Sequence, residues 1–127
     1  MGANGGGEYK FTIPCLPPSV NALHNIIYSQ RKVELKPEIL RWRTEIARYM
    51  PRVMLSEGSL VKVDLVFHYP YLYQNGRLRR FDCHNMVKVL LDVIAWKAGF
   101  DDSRVKDGSW RSVDSEEEKV EVTLREL

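Results

Sequence analysis

"RRFDCHNMVKVLLDVIAWKAGFDDS", residues 79–103, is the stretch on which the fold turns. Two arginines lead into Asp82, Cys83, His84 and Asn85. An apolar run interrupted by Lys88 and Asp92 then reaches Gly99, with Asp101 and Asp102 just beyond. Met86, Val87, Val89, Leu90, Leu91, Val93, Ile94 and Trp96 cover most of a helical circumference, which predicts a helix over 83–98 buried on more than one side and ended by Gly99. His84, Lys88 and Asp92 recur every four residues and form one gently drifting polar stripe. A domain this small has limited interior, so part of the helix is expected to be covered by a second subunit.

Outward from that helix, the spacing assigns the other elements. "SLVKVDLVFHY" (59–69) alternates Val61, Val63, Leu65 and Phe67 with polar residues and reads as a strand. "YLYQNGRLRR" (71–80) is a tyrosine- and arginine-rich loop that turns at Asn75-Gly76. Upstream, "YKFTI" (9–13) is a short strand, and "PCLPPSVNALHN" is irregular because of its prolines and asparagines. "PEILRWRTEIARYM" (37–50) carries Ile39, Leu40, Trp42, Ile46 and Tyr49 at helical spacings between Pro37 and Pro51. Downstream, "SRVKDGSWRSV" (103–113), with a kink expected at Gly108, and "KVEVTLRE" (119–126) are strands joined by the acidic turn "DSEEE". The order β-α-β-α-β-β predicts a single α/β domain (α+β in the layered sense), a small mixed sheet with two main helices. Residues 1–8 are expected to be a flexible leader and 9–127 the domain.

A chain of 127 residues with 44% hydrophobic and 28% charged content fits a globular domain and excludes general disorder. The net charge of +2 is too small to establish a polyanionic partner, so that case rests on local clustering. Cys15 and Cys83 have no framework spacing, which suits a reducing compartment. No apolar run reaches membrane-spanning length, and the N-terminus has no signal-peptide core, so an intracellular, cytoplasmic protein is expected.

Residue types around the helix point to chemistry only when taken together. Asp82 is placed to be an N-cap, Lys88 and Asp92 to be an i,i+4 pair, and Asp101 and Asp102 to be ordinary loop residues. As a set they gather carboxylates and an imidazole around one helix, with a lysine one turn in. Converging carboxylates suit a hard divalent cation such as Mg²⁺, which keeps waters for substrate phosphates and can activate one of them for phosphodiester hydrolysis. Arg77, Arg79, Arg80 and Lys88 lie close in sequence with Asp82 as the sole acid among them, a suitable clamp for a phosphate backbone.

The pattern Arg-Arg-x-Asp-x-His-Asn-x-x-Lys, an apolar helix with a further Asp, a Gly and then Asp-Asp-Ser resembles the RusA family of Holliday junction resolvases. "PPSVN" (17–21) and the ending "WRSVDSEEEKVEVTL" (110–124) resemble it in the same order. The resemblance implies a homodimeric, Mg²⁺-dependent endonuclease that cuts four-way DNA junctions, commonly phage or prophage encoded. Residue by residue, Asp82 matches the family's first catalytic aspartate, Asn85 its asparagine, Lys88 its lysine, Asp92 a mid-helix aspartate and Asp102 the aspartate after the helix. Asp101 is a reserve ligand. The family's second aspartate falls on His84, whose neutral imidazole brings no charge and favours Mn²⁺ over Mg²⁺.

The resulting expectation is a metal site of Asp82, His84 and Asp102, with Lys88 stabilising charge on the scissile phosphate and Arg77, Arg79, Arg80 and Lys88 holding DNA. The alternatives are a junction-binding module that does not cut and, from another class, a domain whose dimer surface binds a protein.

Overall fold

The computed structural model describes residues 7–17, 37–80 and 83–127. Within them lie β1 (Glu8–Ile13), α1 (Pro37–Ala47), β2 (Val61–Tyr69), α2 (Cys83–Ala98), β3 (Val105–Asp114) and β4 (Lys119–Glu126). The strands form one sheet in the order β1-β4-β2-β3. β4 is antiparallel to both β1 and β2, while β3 is parallel to β2. The mixed sheet with two helices is the α+β domain read from the sequence.

The alternation in β2 sets the core. Val61, Val63, Leu65 and Phe67 are at most 3% exposed, and they share a face with buried Val120, Val122 and Leu124 of β4. Met86, Leu90, Val93 and Ile94 of α2 and Ile46 of α1 close over that face. Each large apolar side chain fully buried here contributes about 1.5–3 kcal/mol.

Glu8, expected in the flexible leader, opens β1, and β2 starts at Val61 rather than Ser59; two further boundaries and one irregularity differ from the expected ones, each for a local reason. The first helix was expected to run to Met50 but ends at Ala47. Arg48, Tyr49 and Met50 donate instead to the carbonyls three residues back, because Pro51 disfavours the α conformation at Met50. That tightening leaves Tyr49 exposed and buries Met50. The strand expected from Ser103 begins at Val105, since Asp102–Arg104 form a 3-10 turn. The irregularity expected at Gly108 sits earlier: the β2/β3 register jumps from Val61↔Val105 to Lys62↔Asp107, leaving Lys106 as the extra residue.

Gly108 has a different role. A Cβ built there would collide with the Val63 carbonyl oxygen, so only glycine fits this close strand approach. Gly108→Ala should therefore destabilise the domain by about 1–3 kcal/mol, read as a lower urea midpoint with an unchanged slope.

Candidate active site

The first turn of α2 is fastened to the strands that flank it. Cys83 Sγ lies 3.2 Å from Ser112 Oγ, which also accepts from Tyr69 Oη at 3.0 Å. Tyr69 ends β2 and Ser112 is near the end of β3, so the helix starts where those strands finish. His84 is exposed and meets the Trp110 ring edge-to-face, with centroids 5.2 Å apart. Asp82 and Phe81 lie outside the described residues, as does most of the "PPSVN" motif, and the side chain of Asn85 is likewise not described.

The other end of α2 is built by a glycine and an arginine. Gly99 takes φ +79°, and its amide and that of Phe100 both donate to Ala95 O. The chain then turns into Asp101, whose Oδ1 accepts from Ser103 N at 2.8 Å and caps the 3-10 turn. That hydrogen bond holds the Asp101 carboxyl below the usual carboxylate range. Arg104 locks the turn in place, donating from Nε to Ser59 O at 2.6 Å and from Nη2 to Ser56 O and Ser59 Oγ. Buried Glu126 binds the same segment through Ser56 N and Ser59 Oγ. The position of Asp102 thus depends on a network that reaches β4.

This turn sets Asp102 beside Asp92. Partial burial, and then the negative charge of Asp102, push the Asp92 carboxyl above its usual range, while Lys88 pulls it back less strongly. Lys88, Asp92 and Asp102 are all exposed. Two carboxylates with one lysine beside them form an oxygen-rich, incompletely neutralised pair, a donor set suited to a hard cation.

The loop at 71–80 is more ordered than a plain loop. Leu72 and Leu78 form an antiparallel bridge, and Gly76 at φ +83° turns the chain. Arg77 and Arg80 are exposed and line, with Tyr73 and Leu78, an open pocket of about 410 Å³. Arg79 is half-buried and pairs with Glu118 at 2.9 Å, its guanidinium about 6 Å from the Tyr69 and Tyr73 rings. The acidic turn after β3 therefore braces the basic loop, a role that its composition did not suggest.

Of the expected site residues, the structure joins Lys88, Asp92 and Asp102, with Asp101 next to them, and keeps His84 apart. His84 precedes Asp92 by eight helical residues, ~12 Å of rise. Among the described residues no three of His, Cys, Asp and Glu converge on one metal position. Trp110 and Arg104 belong to these surroundings and went unread, because sequence spacing gives no sign of partners 26 to 48 residues away. No described helix is long and apolar enough to cross a membrane.

Residues 17–125 match the family model described as Endodeoxyribonuclease RusA. No curated protein matches the chain.

The raised Asp92 carboxyl has a consequence for stability. The folded state binds that proton more tightly than the unfolded state, so the contribution favours folding at low pH and is lost as pH rises through the folded value. Asp92→Asn should raise the melting temperature at pH 7, and the gain should vanish below about pH 4, where both forms are neutral. Equal melting temperatures at pH 7 would contradict the crowding of the two acids.

Proposed function

The chain belongs to the RusA family of endodeoxyribonucleases, and we propose that it is a divalent-metal-dependent homodimer that hydrolyses phosphodiesters at four-way DNA junctions. Nucleases of this family generally depend on a divalent metal. The observation that carries the reading is the Asp92–Asp102 pair, whose mutual repulsion a cation would relieve. When bound, such an ion supplies charge to polarise the phosphate and lowers the pKa of the attacking water. Lys88, beside the pair, stabilises negative charge gathering on the phosphate oxygens.

The geometry also supports the homodimer. Ligands of one Mg²⁺ each lie ~2 Å from it, and the ~12 Å of rise between His84 and Asp92, beside which Asp102 lies, favours a site shared between two chains over one within a chain. Asp82 is two residues before His84 in the sequence. If the motif's acids act on one cation, Asp82 and His84 of one protomer meet Asp102 of the partner subunit. A two-fold axis then gives two sites, as two opposed cuts in a junction need. The surface available for such an association is the apolar groove of about 320 Å³ between α2 and edge strand β3, lined by Val63, Leu65, Val87, Leu91, Val105 and Trp110.

Arg77 and Arg80 hold the DNA backbone, and Arg79 orders the loop through Glu118. His84 leaves the site one negative charge short of the family pattern and favours Mn²⁺.

The deciding experiment incubates the protein with a labelled four-way junction and with a linear duplex, each with Mg²⁺, with Mn²⁺ and with neither. Cleavage of the junction alone, and only with metal, is expected, faster in Mn²⁺. His84→Asp should shift the preference to Mg²⁺. Junction binding with no cutting in either metal would favour a silent binding module instead. Binding itself should weaken steeply with salt. Arg77→Ala or Arg80→Ala should each reduce the log–log salt slope by about 1.

A further inference from the structure

The exposed stripe of α2 does not end at the carboxylate pair. His84, Lys88 and Asp92 are followed four residues later by Trp96, which is 47% exposed on a helix that buries most of its other apolar residues. Arg43 of α1 lies over its ring, with the guanidinium carbon 4.1 Å from the centroid. Arg43 forms no ion pair among the described residues, and its buried Nε has no hydrogen-bond partner there. A half-buried cation is thus committed to one face of an indole that otherwise faces solvent.

The charge around this pair is positive. Between 40 and 52 the chain carries Arg41, Arg43, Arg48 and Arg52 against Glu45 alone, and Lys97 follows the tryptophan. Arg41 and Arg48 line one shallow groove on α1. A second copy of this chain would bring the same cations to such a surface, whereas a polyanion would be attracted to it.

We infer that the Trp96–Arg43 pair is a stacking surface for a nucleobase exposed at the branch point of the DNA, and that it selects branched over linear substrate. The inference rests on the junction-cutting reading of the neighbouring carboxylates. Trp96 follows Asp92 by one helical turn, ~6 Å of rise, less than two phosphate steps along a strand at ~3.4 Å each. A base stacked there is therefore within a nucleotide or two of a phosphate held at Asp92 and Asp102. In a linear duplex every base face is covered by its neighbours, and uncovering one costs a few kcal/mol. At a branch point stacking is interrupted, so a base face is available at little cost. An indole backed by a guanidinium accepts any base, because every base has a π face. Arg41 and Arg48 would follow the phosphates of the arm leading away.

The test uses full-length protein in metal-free buffer with EDTA, so that binding is read without cleavage. Dissociation constants for a four-way junction and a linear duplex are measured for wild type, Trp96→Ala, Trp96→Leu and Trp96→Phe, with thermal melts and light scattering as controls on folding and mass. Trp96→Ala and Trp96→Leu should weaken junction binding by about 5- to 150-fold, the range of one base–aromatic stack. Duplex binding should be unchanged, and Trp96→Phe should keep most of the preference. A 2-aminopurine placed at the branch point should be quenched by wild type and not by Trp96→Ala. Junction preference that survives Trp96→Ala overturns the inference alone, as does equal loss on both DNAs. Conversion of the Trp96→Ala protein to monomer overturns it in favour of a subunit contact. A wild-type protein with no preference for the junction overturns the functional reading and this inference with it.

Discussion

Strand β3 runs parallel to β2, and parallel neighbours cannot be joined by a hairpin. The chain must leave the far end of β2, cross back over the sheet and re-enter beside the start of β2. Helix α2 is that crossover: 16 residues, ~24 Å long, with its first turn held at Tyr69 and Ser112 and its exit held by Arg104 at Ser56 and Ser59. The crossover requires one side of the helix to be apolar, and the sheet covers that side. The opposite side is left for polar residues, which is why an oily helix carries a stripe of His84, Lys88 and Asp92.

The same constraint divides the motif. Cys83 and His84 open the crossover and Asp101 and Asp102 follow its end, so His84 and Asp102 lie toward opposite ends of α2. Asp102 is brought beside Asp92, with Lys88 one turn earlier on α2, a pair of like charges that the fold does not fully neutralise. Such crowding is unfavourable in the isolated chain and becomes useful when a cation enters. Two other acids are matched: Glu118 with Arg79, and Glu126 with the amide and hydroxyls of the Ser56–Ser59 turn, which hold its carboxyl below the usual range.

Much of this was legible in residue order. The alternation of β2, the apolar helix with Gly99 at its end and the order of elements follow from short-range spacing and are present in the structure, and the family resemblance is borne out by the match over residues 17–125. What spacing could not reveal are contacts between distant segments. Arg104 with Ser59 spans 45 residues and Arg79 with Glu118 spans 39. Arg43 over Trp96 joins two helices whose spacings say nothing of each other. His84 and Asp92 lie eight helical residues, ~12 Å of rise, apart along α2, a separation that sequence distance does not display. The end of α1 was misplaced because the hydrophobic pattern runs on through Tyr49 while Pro51 acts from beyond it.

The most direct measurement mixes two inactive variants. Asp82→Asn and Asp102→Asn proteins, each unable to cut a junction alone, are combined under conditions that exchange subunits, and strand cleavage is followed in the presence of Mn²⁺. If Asp82 of one protomer and Asp102 of the partner subunit form each site, the mixed dimer has one site with both acids intact. It should nick one strand of the junction without the paired cut in the opposing strand. A mixture that stays as inactive as its components, while the wild type cuts both strands, would mean that each site is made within a single chain.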